Sequence, residues 1–152
     1  MFKSIVCAAV LAMPAAEVLG ADWVALSTPN QPIVAAGFRH DDGGSLTVLC
    51  NTNEKLIRII HTEPRANWTE GATVNETTMD DSGISTTSKY GKAISRTQMI
   101  LLNESTFDLL RMGEAKRFFT VTTGGSYARI YPTANFKRMT EPVMKACGDS
   151  WQ

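Results

Sequence analysis

The side chains best equipped for chemistry are few. His40 is followed directly by Asp41 and Asp42, His61 lies one strand length further along, and cysteines stand at positions 7, 50 and 147. Imidazole beside carboxylate is the donor set of a hydrolytic zinc site, in which the metal activates water. His40 and His61, with Asp41, Asp42 or Glu63 adding a carboxylate, are the only candidates for it. Catalytic zinc takes three well-placed protein ligands, and "HDD" already has an ordinary role as a hairpin turn. Cys50 sits in "LTVLCN" without a CxxC or a second cysteine nearby, so a metal-ligand or nucleophile reading has no partner group. The G-x-S-x-G elbow of serine hydrolases is missing. "TTGGS" lacks the lysine and following helix of a phosphate loop. No carboxylate pair stands out for glycoside cleavage, because the separation that matters there is three-dimensional. The sequence therefore assigns no catalytic residue and no cofactor.

Compartment explains the cysteines better. Residues 1–20, MFKSIVCAAVLAMPAAEVLG, run from Lys3 through an apolar stretch to small residues, the plan of a secretory signal peptide cleaved after Gly20 or Ala21. Pro14 and Glu17 interrupt the stretch, which is shorter than the ~20 apolar residues a membrane span needs. Cys7 lies inside the apolar stretch rather than after it, so a lipoprotein does not fit. Removal of the signal leaves Cys50 and Cys147, an even pair in an exported chain, and hence a disulfide. Closing so long a loop stabilises by at most about 4–5 kcal/mol in the chain-entropy model. Residues 21–152 suit one domain, periplasmic or secreted, with no membrane span after cleavage. Fifteen basic and fifteen acidic residues are interspersed without the basic stripe that nucleic acid requires. Sequons at Asn67, Asn75 and Asn103 matter only in a glycosylating host.

The elements that must position these residues are mostly strands. "DWVALS" is a first strand anchored by Trp23, and "IVAAGFRH", "SLTVLCN" and "KLIRIIHTE" form a meander. A three-residue loop 41–43, with Gly43 left-handed, pairs His40 with Gly44, Phe38 with Leu46, Ala36 with Val48 and Val34 with Cys50. A two-residue turn at Thr52-Asn53 places Ile57 beside Val48 and Ile59 beside Leu46, giving one apolar face. In that register His40 and His61 flank Gly44 and can lean over it. The threonine-rich stretch 71–92 reads as a hairpin around "DDSG", exposed on both sides. "ISRTQMILL" returns to the core, and "ESTFDLLRMG" is a short helix capped at Ser105 or Thr106 and stopped at Gly113. "TANFKRMTEPVMKAC" lines Phe136, Met139, Val143 and Cys147 along one helical face, with Pro142 starting a new turn or kinking the helix. The expected fold is mainly β: an antiparallel β-sandwich or partial barrel with a short helix and a C-terminal helix tied by Cys50–Cys147.

"RFFTVTTGGSYARIY" is the last hairpin. A two-residue turn at Gly124-Gly125 pairs Thr123 with Ser126, which turns Phe119, Val121, Ala128 and Ile130 to the core. Phe118, Tyr127, Arg129 and Tyr131 then share the other face, whose aromatic and arginine content suits a partner-binding surface.

In arrangement, most of the chain after residue 20 resembles small periplasmic proteins of the invasion-associated locus B family and the type VI secretion accessory (TagO/VasI-like) proteins. The resemblance rests on Trp23 after the exported N-terminus, the cysteine in "VLCN", "FDLLRMGEAKRFFTV", and the second cysteine closing "FKRMTEPVMKACG". It implies a non-enzymatic envelope or secretion accessory that acts through a protein partner. Two other readings remain open on the residues themselves: a small inhibitor or ligand-binding protein whose His40–Asp42 loop plugs a target, and a metal-dependent hydrolase using His40 and His61.

Overall fold

The computed structural model describes residues 22–27, 30–101 and 105–151. The expected signal peptide at residues 1–20, with Cys7, and Asn103 lie outside them. The described residues form ten strands: β1 Val24–Ala25, β2 Ile33–Arg39, β3 Ser45–Asn51, β4 Leu56–Thr62, β5 Glu76–Asp80, β6 Ser85–Ser88, β7 Gly91–Ala93, β8 Gln98–Leu101, β9 Phe118–Thr123 and β10 Tyr127–Pro132. Helix α1, Ser105–Glu114, precedes β9, and helix α2, Phe136–Ala146, follows β10. One antiparallel sheet has the order β1-β2-β3-β4-β8-β7 and the second β10-β9-β5-β6.

The β2–β3 register is the expected one, with Phe38 opposite Leu46, Ala36 opposite Val48 and Val34 opposite Cys50. The His40 amide bonds the Gly44 carbonyl at 2.8 Å, and Gly43 has φ 88°. The β3–β4 register differs by two residues: Val48 faces Ile59, Leu46 faces His61 and Cys50 faces Ile57. The connection is a four-residue loop in which Lys55, at φ 55°, returns its amide to Asn51. A shift of two keeps every side chain on its face, so the apolar face survives while His61 leaves the side of Gly44.

That face meets the second sheet across a common core. Phe38, Leu46, Val48, Cys50 and Ile59 pack with Phe119, Val121 and Tyr131, and α1 and α2 add Leu109, Met112, Phe136, Val143 and Met144. Trp23 stands at the junction of the two sheets. Its ring lies 5.6 Å from Phe38, 4.7 Å from Phe136 and 6.2 Å from Phe119, and its Nε1 donates to the Pro132 carbonyl at 2.7 Å. A buried indole N–H usually needs such an acceptor; here the acceptor is the end of β10, so Trp23 binds both sheets.

Two expectations about local structure are corrected. The β5–β6 hairpin is not exposed on both sides: Glu76, Thr78, Asp80 and Ser88 are buried, because β5 also pairs with β9 and turns one polar face inward. Gly113 does not stop α1, which runs on to Glu114. Its missing side chain serves packing instead, since a Cβ there would overlap the Trp151 ring.

Helix α2 runs unbroken through Pro142 with Phe136, Val143 and Met144 buried. Cys147, just past its end, bonds Cys50 in β3 across a Cα separation of 5.8 Å. The bridge closes a separation of 97 residues and holds the helix on β2 and β3. Replacing Cys147 with Ser is expected to cost about 2–5 kcal/mol. Urea unfolding under non-reducing conditions measures it, and an unchanged midpoint would show that the apolar face of α2 suffices alone.

Candidate functional site: a polar seam between the sheets

The hairpin β9–β10 turns through Gly124, Gly125 and Ser126, with both glycines at positive φ (60° and 72°). Thr123 therefore faces Tyr127, Val121 faces Arg129 and Phe119 faces Tyr131. This is a one-residue slip from the expected register, and it reverses the faces of β10. Tyr131 is buried among Trp23, Phe38 and Phe119, while Ile130, expected in the core, is 59% exposed. Phe118 remains on the outer face of β9. The four residues expected to form one exposed surface thus divide: Phe118 lies outside, and Tyr127, Arg129 and Tyr131 line the inside.

Arg129 explains the slip. Its Nε and Nη2 donate to the two Glu63 oxygens at 2.7 and 3.1 Å, and Nη1 and Nη2 donate to Asp42 at 2.9 Å each. Two carboxylates from connections of the six-stranded sheet thereby occupy both edges of a planar guanidinium, the geometry that gives the strongest ion pairs. Glu63 also accepts from Arg65 Nε at 2.7 Å and Nη2 at 3.0 Å. The guanidinium lies directly over Gly44, where any Cβ would collide with it. Hydrogen bonds from Arg129, then from the Gly44 amide, hold Asp42 down to about 2. Bonds from Arg65, with those of Arg129, hold the buried Glu63 down to about 2 against its desolvation. Burial opposes the charge on Arg129, but the bonds to Asp42 and Glu63 outweigh it and keep its pKa above the ordinary range.

A second pair crosses the same interface. His61 Nε2 of β4 meets Glu76 Oε2 of β5, both buried, and Thr78 Oγ1 donates to the other Glu76 oxygen at 3.0 Å. His40 packs edge-on against Phe38 and Tyr131, at ring separations of 5.1 and 5.0 Å. Burial, then the charge of Arg129, pushes its pKa down. The two histidines do not converge over Gly44, because Arg129 fills that space. Among the described residues no three His, Cys, Asp or Glu side chains gather as a metal site. The cavity left between His61, Glu63, Thr123, Tyr127, Arg129 and Tyr131 is about 10 Å³, near the lower limit for one water. The seam is filled by its own side chains.

At the surface the seam ends in an aromatic cluster. Trp68 meets Tyr127 edge-on at 6.1 Å, and the Arg65 guanidinium lies 5.6 Å from the Tyr127 ring centre. Tyr127 Oη donates to the Arg65 carbonyl at 3.2 Å. Gly124 admits the Trp68 edge closely, with a Cβ placed 3.3 Å from Nε1. Arg65 and Trp68 belong to "EPRANWTE", whose lack of strand periodicity hid them from the sequence reading. Glu76 was hidden by its polar surroundings, although Glu76, Thr78 and Asp80 alternate with period two as inward strand residues do. Asn67 and Asn75 are exposed. No protein-family model, no curated protein and no solved structure matches this chain.

Two outcomes follow from these charges. Asp42 and Glu63 have folded pKa values below their unfolded ones, so their stabilisation is complete above the unfolded values and lost as pH falls from about 4.5 toward 2. His40 is also depressed, and the unfolded chain takes up its proton first, so stability falls as pH drops below the 6.5 of a free imidazole. Urea midpoints across pH 2–8 should show both limbs. His40→Gln should remove the upper limb and Arg129→Met should shrink the lower, leaving the part that Arg65 maintains at Glu63, while unaltered profiles would refute the assignment. Separately, His61→Leu leaves Glu76 buried without its partner, a change expected to cost about 3–5 kcal/mol. Adding Glu76→Leu should recover much of that loss; purely additive losses in a double-mutant cycle would mean that the pair is uncoupled.

Proposed function

We propose that this chain is an exported, non-enzymatic accessory of the cell envelope or secretion machinery that acts by binding a protein partner, as its resemblance to the invasion-associated locus B and type VI secretion accessory proteins implies. The Cys50–Cys147 bond is consistent with an oxidising, exported location. No helix among the described residues is long and apolar enough to cross a membrane. The observation that carries the proposal is the Trp68–Tyr127–Arg65 cluster at the mouth of the seam. Tryptophan, tyrosine and arginine are the residue types that dominate binding energy at protein interfaces. Here they are held against one another before any partner arrives, and such preorganisation reduces the ordering cost of association. Arg65 is 58% exposed at its side chain while bonded to buried Glu63, so a surface contact is tied directly to the rigid seam. In this reading Tyr127 is the contact residue of the expected set, with Arg129 and Tyr131 as its supports. Crosslinking in the native host, followed by capture, should recover one envelope or secretion protein. Trp68→Ala and Tyr127→Ala should each weaken that complex by at least about 2 kcal/mol, or roughly 30-fold, with thermal unfolding little changed. Equal recovery by wild type and both variants would remove this surface from consideration.

A further inference from the structure

At the base of the β9–β10 hairpin, the end away from the seam's mouth, the surface dips into a concavity of about 390 Å³. Lys116, Thr133, Asn135, Phe136, Lys137 and Arg138 line it, three of them cations, and no acidic residue does. Lys116 comes from the connection between α1 and β9, and Lys137 and Arg138 from the first turn of α2. The Thr133 hydroxyl donates to the Lys116 carbonyl at 3.0 Å and the Thr133 amide to the Arg117 carbonyl at 2.9 Å, so the two connections are fastened together.

No carboxylate lines this concavity, and Asp81, Asp22 and Glu114 have partners of their own. Asp81 accepts from the amides of Lys116 and Arg117 and lies 3.7 Å from Arg117 Nε. Asp22 accepts from the Asn135 amide group and the Trp23 N–H; Arg138 helps to keep its carboxyl ionised but makes no ion pair with it. Glu114 takes Arg111 at 2.6 Å. Among the described residues Lys116, Lys137 and Arg138 form no ion pair; neither do Lys89, Lys92 and Arg96, so it is the shared hollow that sets the first three apart. Lys137 lies instead over the Trp151 ring at 5.4 Å. Lys116, Lys137 and Arg138 are exposed around one hollow that no carboxylate lines, a clustering of like charge that attracts an anion. Elsewhere on the β9–β10 hairpin, Arg117 lies over Phe118, and Phe118 and Ile130 are exposed on its outer face.

We propose that this concavity binds a phosphoryl oxyanion, either free phosphate or the headgroup of an anionic phospholipid. An arginine fork and two lysine point charges are the donors that recognise such a group. The volume exceeds what a bare anion fills and leaves room for the group it esterifies. This inference is independent of the protein-partner reading, since it uses none of the seam residues.

The test compares wild type with the triple variant Lys116→Glu, Lys137→Glu, Arg138→Glu and with a charge-matched control, Lys89→Glu, Lys92→Glu, Arg96→Glu. All six side chains are exposed, and thermal unfolding verifies that each variant is folded. Inorganic phosphate is titrated with amide chemical shifts as the readout, and vesicles of phosphatidylglycerol or phosphatidylcholine are tested by co-sedimentation. Binding at least tenfold weaker in the first variant, with the control unchanged, supports the site. Phosphate binding assigns it to the free anion, and binding to phosphatidylglycerol alone assigns it to a lipid headgroup. No binding of either probe by wild type, or equal loss in both variants, overturns the proposal.

Discussion

The bond from Arg129 to Asp42 and Glu63 is the interaction on which the arrangement of the second sheet depends. Arg129 belongs to β10, Asp42 to the β2–β3 turn, and Glu63 follows β4, so one guanidinium joins both sheets. A lysine in its place would offer a single point charge and could not engage two carboxylates edge to edge. The contact also requires Gly44, because any side chain there would stand in the guanidinium's position. Once Arg129 points inward, the pleat carries Tyr131 into the aromatic core and Tyr127 to the seam's mouth. The Trp68–Tyr127–Arg65 cluster, the seam and the core thus follow from the orientation of one strand.

The magnitudes show why this register is preferred. The alternative, slipped by one residue, would bury Ile130, and a fully buried isoleucine is favoured by about 1.5–3 kcal/mol. It would also expel Tyr131, whose ring contacts Trp23, Phe38, His40 and Phe119, and aromatic side chains bury the largest areas of any residue type. Arg129 would lose its two bonds to buried Glu63, each worth about 1.5–3 kcal/mol, and two to Asp42 that solvent screening makes weaker, and Glu63 would lose one of its two arginines. Buried ion pairs contribute little stability relative to a well-packed apolar substitute. Their effect is on specificity, since a misregistered strand leaves charges buried and unpaired. Between β4 and β5, His61 and Glu76 are joined by a buried hydrogen bond that a misregistered strand would leave unmade.

Much of the framework was legible in the residue order. The meander from Ile33 to Thr62 declares itself because its apolar residues alternate and its first turn contains a glycine suited to positive φ. Trp23 as an anchor, the apolar face of α2, and the pairing of Cys50 with Cys147 were readable for the same reason: period and parity are local or countable. The β3–β4 loop is two residues longer than its sequence suggests, at no cost to the faces, because the side-chain period is two. The β9–β10 loop is longer by one residue, and the same rule then reverses the whole strand. Gly124-Gly125 permits both a two-residue and a three-residue connection, and nothing within the hairpin separates them.

The sequence by itself therefore determined the mainly β composition, the order of elements, the disulfide and the apolar face of the six-stranded sheet, all of which depend on short-range periodicity or on simple counting. Only the tertiary structure decided which face of β10 is buried, that Glu76 lies inside, and that Trp68, Arg65 and Tyr127 meet. Each of those outcomes is set by a partner distant along the chain: Asp42 and Glu63 for Arg129, His61 for Glu76, and the β9–β10 loop for Trp68. A charged residue reads as exposed until its counter-charge is located in space, and that location is a property of the fold.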